Sequence, residues 1–469
     1  MGRRPRHGLV REPLLHVIAS RLVEPSLETL VRDAMERYHV PGVAIGMLRA
    51  GGVEVAGFGV TSVEHPLPVD GDTLFQIASV TKTMTATVIM RLVERGAIDL
   101  DAPVRRYVPA FRLRDSAAQE RATVRHLVTH TGGWMGDCFA DFGNGDDALE
   151  RYVAAMAELE QLTPLGEIWH YSNSSFALLG RLIEVVTGKT YEDAARELLF
   201  IPLGMTRSCF SADEAITHRV AIGHVIVDEK PTVARPWSFP RATTPVGGIV
   251  SSASDLMRYA RFHLGDGTAP DGARLLSRAS LDLMRTQLAD ADLDRKVGVA
   301  WFLRTIGGLR LQYHGGAAIG QQGVLMLAPD RGEAIAVQTN SARGGLLHQD
   351  VTTWWQRQRL GLKVPEPTYI ELDRTRYEEY ADRYLAELSD AELALSDTGL
   401  VYRSFSHNKL NVQPKPPDPP PSRVAFTSDA RFTLLDGPLK DTRGEFLRGP
   451  DGRVRYLRVG GRVYRRTRS

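Results

Sequence analysis

The strongest constraint on this chain is where its strand-forming runs fall. Two apolar runs, Val43–Ala50 and Val53–Val60, flank Gly51-Gly52 near the start, the pattern of a two-residue hairpin. Further runs come only much later, at Val297–Arg304, Leu309–His314, Gln322–Leu327 and Ala334–Thr339, divided by Gly-Gly, Pro-Asp and Arg-Gly turns. Residues from about 99 to 240 read as helices and loops broken by Pro103, Pro109, Pro164 and Pro202. Hairpin strands at both ends of a long helical stretch predict an α+β fold rather than alternating β-α units. The expected architecture is an antiparallel sheet flanked by helices, with a large, mainly helical insertion.

Helix signals fit that frame. Ser26–Tyr38 reads as an amphipathic helix with Ser26 as N-cap, and Thr83–Glu94 as a buried helix closed by Gly96. Asp255–Leu264, with Asp255 as N-cap, Ser277–Gln287 and Leu346–Arg359 are further helices. After VPEP (364–367) the character changes to short strand patterns, including two around Pro450-Asp451-Gly452 and one after Gly460-Gly461, with KPPDPPP (415–421) as a stiff loop. The expected division is an N-terminal extension (1–25), a main domain (26–364) and a small, mostly β accessory domain (365–469).

Composition removes several function classes. The chain has 469 residues with net charge +2, so the basic excess of a nucleic-acid binder is missing. The last 30 residues carry ten basic side chains against three acidic, which reads as a solvated strand face. Two cysteines, Cys138 and Cys209, make neither a disulfide framework nor a metal cluster and point to a reducing compartment. The opening MGRRPRHGLVREPLLHVIAS has a basic head, but Glu12, Pro13 and His16 interrupt its apolar run. A cytoplasmic protein with no membrane span, metal or cofactor is therefore expected, with export and oligomeric state left open.

Lysine is scarce. Only eight occur among 58 basic residues, and lysine, unlike arginine, becomes a neutral base when buried. One of the eight completes Ser79-Val80-Thr81-Lys82, where a helix would set serine and lysine on one face. A serine hydroxyl is a poor nucleophile until a neighbouring base removes its proton. The spacing alone is not specific, since Ser406-His407-Asn408-Lys409 matches too, without an apolar helix after it. Context separates the two. Tyr171-Ser172-Asn173 would put a phenol and an amide on a loop, and His314-Gly315-Gly316 ends an expected strand, as a wall approached by substrate backbone would need.

With these three elements in order, the chain resembles the serine β-lactamase and penicillin-recognising superfamily, in its class C β-lactamase-related branch. That branch includes DD-carboxypeptidases, D-aminopeptidases and carboxylesterases. The resemblance spans about 26–360 and includes FQIASVTKTMTATVIMRLVERGAIDLDAPV (75–104), LVTHTGGW (127–134), YSNSSFALLGRLIE (171–184), PLGM (202–205) and GGIVSSASDL (247–256). It implies Ser79 as acylated nucleophile, Lys82 as its proton partner and Tyr171 as the proton shuttle. It also implies Asn173 as a hydrogen-bonding partner of substrate amide, and the Ser79 and Ala317 N–H groups as the oxyanion hole. His314, Gly315 and Gly316 stand where many relatives carry Lys-Thr-Gly, so a permanent cation is replaced by a group largely neutral at pH 7. The barrel-like C-terminal domains of similar hydrolases suggest the same form for 365–469.

The resulting expectation is a serine hydrolase acting through an acyl-enzyme on an ester or amide, as a carboxylesterase or D-amino-acid-type peptidase. A true β-lactamase and a non-catalytic penicillin-binding-like sensor are the alternatives. The partner would be a small molecule or short peptide. His126 and His130 lie four apart but lack a third ligand, so they read as structural. Trp134 and Trp169 fit either cleft or core.

Overall fold

The computed structural model describes residues 24–468 except 51, 238, 293–294 and 364–365. Most of the expected N-terminal extension, its reading as free of an export signal, and the 364/365 domain junction thus lie outside the described residues.

The chain is α+β, as expected. α1 (Pro25–Tyr38) leads into the hairpin β1 (Gly42–Arg49) and β2 (Gly52–Gly59). Helix α1 starts one residue early, because Pro25 occupies its first turn and Glu24, not Ser26, is the N-cap residue. The hairpin register pairs Arg49 with Gly52, so Gly52 belongs to the strand rather than the turn. The helical stretch includes α2 (Thr81–Glu94), α3 (Asn173–Thr187) and α4 (Ala253–Leu264). Ser252, not Asp255, caps α4; Asp255 is instead buried and accepts from the Arg207 backbone N–H and the Ser208 hydroxyl.

The sheet is then completed by β3 (Ala289–Asp292), β4 (Arg295–Val297), β5 (Phe302–Ile306), β6 (Leu309–Ala318), β7 (Gln321–Ala328) and β8 (Glu333–Thr339). Its order is β2-β1-β8-β7-β6-β5-β4-β3, with every named pair antiparallel. The run expected as one strand at 297–304 is broken, since Ala300 takes a left-handed φ of 64° between β4 and β5.

Alternation along the strands explains how one sheet serves two cores. On β8, Ile335 and Val337 face the layer formed by α1 and α5 (Gly344–Trp354), while Ala334 and Ala336 face the helical side. On β7, Met326 and Leu325 divide the same way. A sheet buried on both faces reads as nearly continuous apolar runs.

The C-terminal region forms a closed eight-stranded antiparallel barrel: β9 (Asp382–Leu385), β10 (Ser389–Ser396), β11 (Gly399–Ser406), β12 (Ser422–Ser428), β13 (Arg431–Leu434), β14 (Arg443–Arg448), β15 (Val454–Val459) and β16 (Arg462–Arg466). Closure of β9 on β16 removes the open edges that short strands would otherwise present. Tyr380, Tyr384, Phe426, Phe432 and Phe446 fill its centre. Among the described residues, no helix is long and apolar enough to cross a membrane.

Candidate active site

The site begins at the turn before α2. Ala78–Val80 is a single 3₁₀ turn, and Ala78 holds a left-handed φ of 46°, a conformation that a side-chain-bearing residue adopts only under constraint. That turn sets Ser79 at the head of α2 and Lys82 one turn on. Helix α2 is buried on nearly all sides, which suits its mixed apolar pattern. Its threonines satisfy themselves: Thr83 and Thr87 donate to the carbonyls of Val80 and Thr83, both at 2.8 Å.

Lys82 is fully buried, with Nζ 3.0 Å from Ser79 Oγ and 2.8 Å from the Val246 carbonyl oxygen. Burial drives its pKa well below the lysine range, and the Arg462 guanidinium pushes the same way, against a smaller opposing pull from Asp137. A neutral amine at this distance can take the serine proton. The Val246 carbonyl, which holds the amine from the far side, was not signalled by sequence; a backbone acceptor leaves no residue-type signature.

Tyr171 lines the cleft together with Ser79, and its ring lies 4.9 Å from Lys82 Nζ. Burial raises the phenol's pKa, so Tyr171 keeps its proton while Lys82 gives its own up. The two groups are thus pushed in the directions that divide base from proton donor. His130, read from sequence as structural, stacks on Tyr171 with ring centroids 4.5 Å apart, and its Nδ1 accepts from the Ser172 N–H. Burial lowers its pKa, so this ring is a neutral platform. His126 closes a capping box with Thr123, and Trp134 is core. Trp169 packs edge-on to Tyr171.

Asn173 is the first residue of α3 rather than a loop residue, with Ser172 as N-cap. Its Nδ2 donates to Asp137, and Oδ1 is buried without a hydrogen-bond partner among the described residues.

His314-Gly315-Gly316 does not end a strand, as expected, but lies inside β6, which continues through Ala318. The His314 ring is 1% exposed, packs 5.0 Å from Phe302 and 6.2 Å from Tyr171, and borders the cleft. Burial brings its pKa down to about 3, so it is neutral at working pH. The two glycines have different jobs. A Cβ on Gly316 would sit 2.3 Å from the Ile77 carbonyl and 2.8 Å from the Ser79 nitrogen, whereas one on Gly315 would meet nothing nearer than 3.8 Å. Only glycine at 316 lets β6 lie against the serine turn, which brings the Ala317 segment beside the Ser79 N–H.

Every site residue expected from the sequence lies before 320, whereas the structure also brings barrel residues to the site. The turn between β15 and β16 docks on the Tyr171 segment, where the Gly461 carbonyl accepts from the Tyr171 N–H at 2.9 Å. Arg458 Nη1 donates to the Trp169 carbonyl at 2.7 Å, and the Val463 N–H donates to His170 Nδ1 at 3.0 Å. Arg462 Nε donates to Asp137 at 2.6 Å, with its guanidinium 5.4 Å from the Tyr171 ring centre. The basic tail that read as a solvated face includes this arginine. Main domain and barrel together enclose a cleft of about 1300 Å³, bordered by Ser79, Tyr171, His314 and Arg462. The second Ser-x-x-Lys match spans the end of β11 and a turn, and Lys409 pairs with Glu387. Among the described residues no group of three or more His, Cys, Asp or Glu side chains could hold a metal ion.

Comparison with known proteins gives the same outline. The Beta-lactamase family matches residues 27–357. Penicillin-binding protein 4 of Amycolatopsis lactamdurans is 36% identical over 342 residues, which is 71% of this chain and 90% of that protein. Among solved structures, SurE superposes with a TM-score of 0.71 at 26% identity, covering 94% of this chain and 98% of its own. It has also been solved with D-Leu, at a TM-score of 0.72, 25% identity and the same coverage. A class C β-lactamase from Rhodobacter sphaeroides matches with a TM-score of 0.61 at 22% identity, covering 72% of this chain and all of that one, and so shares the fold.

Two outcomes follow from this geometry. Gly316→Ala should push β6 away from the Ser79 turn and slow covalent labelling of Ser79 by a fluorophosphonate on the order of 10²-fold or more, while Gly315→Ala should cost far less. The lysine gives a pH signature. Unfolded, its amine titrates near 10.4; folded, well below, so the unfolded chain binds the extra proton and wild-type stability falls as pH drops below about 10. The melting-temperature difference of Lys82→Met over wild type should therefore grow as pH is lowered from 10 towards neutral.

Proposed function

The chain belongs to the Beta-lactamase family, and from that premise we propose that it is a serine hydrolase working through an acyl-enzyme at Ser79. The observation that carries this reading is the buried Lys82 amine, 3.0 Å from the Ser79 hydroxyl with its pKa driven down. Lys82 takes the hydroxyl proton as Oγ attacks a substrate carbonyl carbon. The oxygen charge that develops is met by the Ser79 and Ala317 N–H groups. Tyr171 gives its proton to the leaving group as that bond breaks, and regains one from the Lys82 ammonium. Water then attacks the acyl-enzyme by the reverse relay, its proton passing to the same pair, and Ser79 is restored.

For substrate, the reading is an ester, or an amide of D-amino-acid type. His314 is neutral and buried where a lysine would offer a permanent cation, which argues against dependence on a β-lactam carboxylate. The D-Leu held by SurE favours the D-amino-acid arm within the same reading.

Labelling with a fluorophosphonate and mapping of the adduct tests the nucleophile. Ser79→Ala should lose the adduct and drop kcat on the order of 10⁶-fold, whereas Ser406→Ala should behave as wild type. A panel of p-nitrophenyl butyrate, D-alanine p-nitroanilide and nitrocefin tests substrate class, with nitrocefin expected to give the lowest kcat/KM. An adduct away from Ser79, or nitrocefin as preferred substrate, contradicts the proposal.

A further inference from the structure

We propose that the Arg462–Asp137 ion pair is a positioning device through which the C-terminal barrel holds and electrostatically tunes the Ser79–Lys82–Tyr171 group. The inference rests on the acyl-enzyme reading above and adds the barrel to the machinery.

Geometry carries it. Residues Trp169 to Tyr171 have little regular structure of their own, since α3 begins only at Asn173. Three hydrogen bonds from one barrel hairpin hold this segment, at the Trp169 carbonyl, the His170 ring and the Tyr171 N–H. The Asp137 carboxylate is 5% exposed, and a carboxylate so buried needs partners for both oxygens. It accepts from Arg462 Nε and Nη2, at 2.6 and 3.3 Å, and from Asn173 Nδ2. The carboxylate also selects one orientation of Asn173, because a flipped amide would set oxygen against oxygen. The ion pair therefore joins the barrel to the Asp137 segment and the start of α3, and it sets the Arg462 guanidinium 5.4 Å from the centre of the Tyr171 ring.

The Lys82 amine and the Arg462 guanidinium lie 4.9 and 5.4 Å from the centre of the same Tyr171 ring, so the pair acts on the amine at longer range. The groups facing the amine are Ser79, Tyr171, the neutral rings of His130 and His314, and the two charges of the pair. Arg462 disfavours the lysine proton, whereas Asp137 favours it. A merely structural brace would be indifferent to which member of the pair lost its charge. A tuning pair would not.

That difference supplies the test, made on the full chain by following the pH dependence of fluorophosphonate labelling at Ser79. Arg462→Gln should move the acid limb to higher pH and Asp137→Asn should move it to lower pH, each by roughly half a unit or more. Arg462→Lys, which keeps the charge, should restore most of the wild-type profile. Shifts in the same direction, or profiles coincident with wild type, overturn the proposal. If Arg462→Gln does not fold, the Asp137→Asn limb decides alone: a downward shift supports the pair, and an unmoved or upward limb refutes it. A wild-type protein that is not labelled at Ser79 instead fails the acyl-enzyme reading itself.

Discussion

The placement of one amine out of water organises this site. A lysine in solvent is an ammonium at neutral pH and cannot take a proton from serine. Full burial makes the charged form costly, and the protein meets that cost with a backbone carbonyl from Val246 rather than with a carboxylate in contact. A carboxylate against the amine would have restored the ammonium. The acid that acts on the amine, Asp137, instead shares its charge with Arg462. The rings around the amine follow the same logic, since His130 and His314 are both held neutral by burial. A site built this way keeps an unfavourable group in the core, and such groups trade stability for chemistry.

The second requirement is close approach of two backbones. The serine turn and β6 must nearly touch if two N–H groups are to converge on one oxygen. Gly316 allows the contact by having no side chain, and the left-handed Ala78 turns the chain so that Ser79 lies beside it. The barrel is the third contributor. It borders the cleft, and its β15–β16 hairpin hydrogen-bonds the Tyr171 segment.

Much of this was legible in the chain, for identifiable reasons. The strand–helix–strand order had only a few solutions, and burial on both faces left continuous apolar runs bounded by turn signals, which locate the central strands but missed the break at Ala300. Ser79 and Lys82 were found because helical spacing is a local property. What escaped was non-local or backbone-borne. The Val246 carbonyl has no sequence signature, and Asp137 and Arg462 lie 325 positions apart. His314 was assigned to a strand end because Gly-Gly commonly breaks a strand, yet here it allows packing across β6. Asp255 was read as a cap from type alone, while Ser252, three residues earlier, holds that position.

The proposed role of Lys82 as a base requires that its amine be neutral in the folded protein. It is tested most directly by NMR titration of the protein labelled with ¹³C at lysine Cε, where eight lysines give a tractable spectrum and Lys82→Met assigns the signal. The resonance that disappears in Lys82→Met is expected to be in its neutral form already well below the ordinary lysine range near 10.4. A Lys82 resonance that keeps its protonated shift up into that ordinary range would overturn the neutral-base reading.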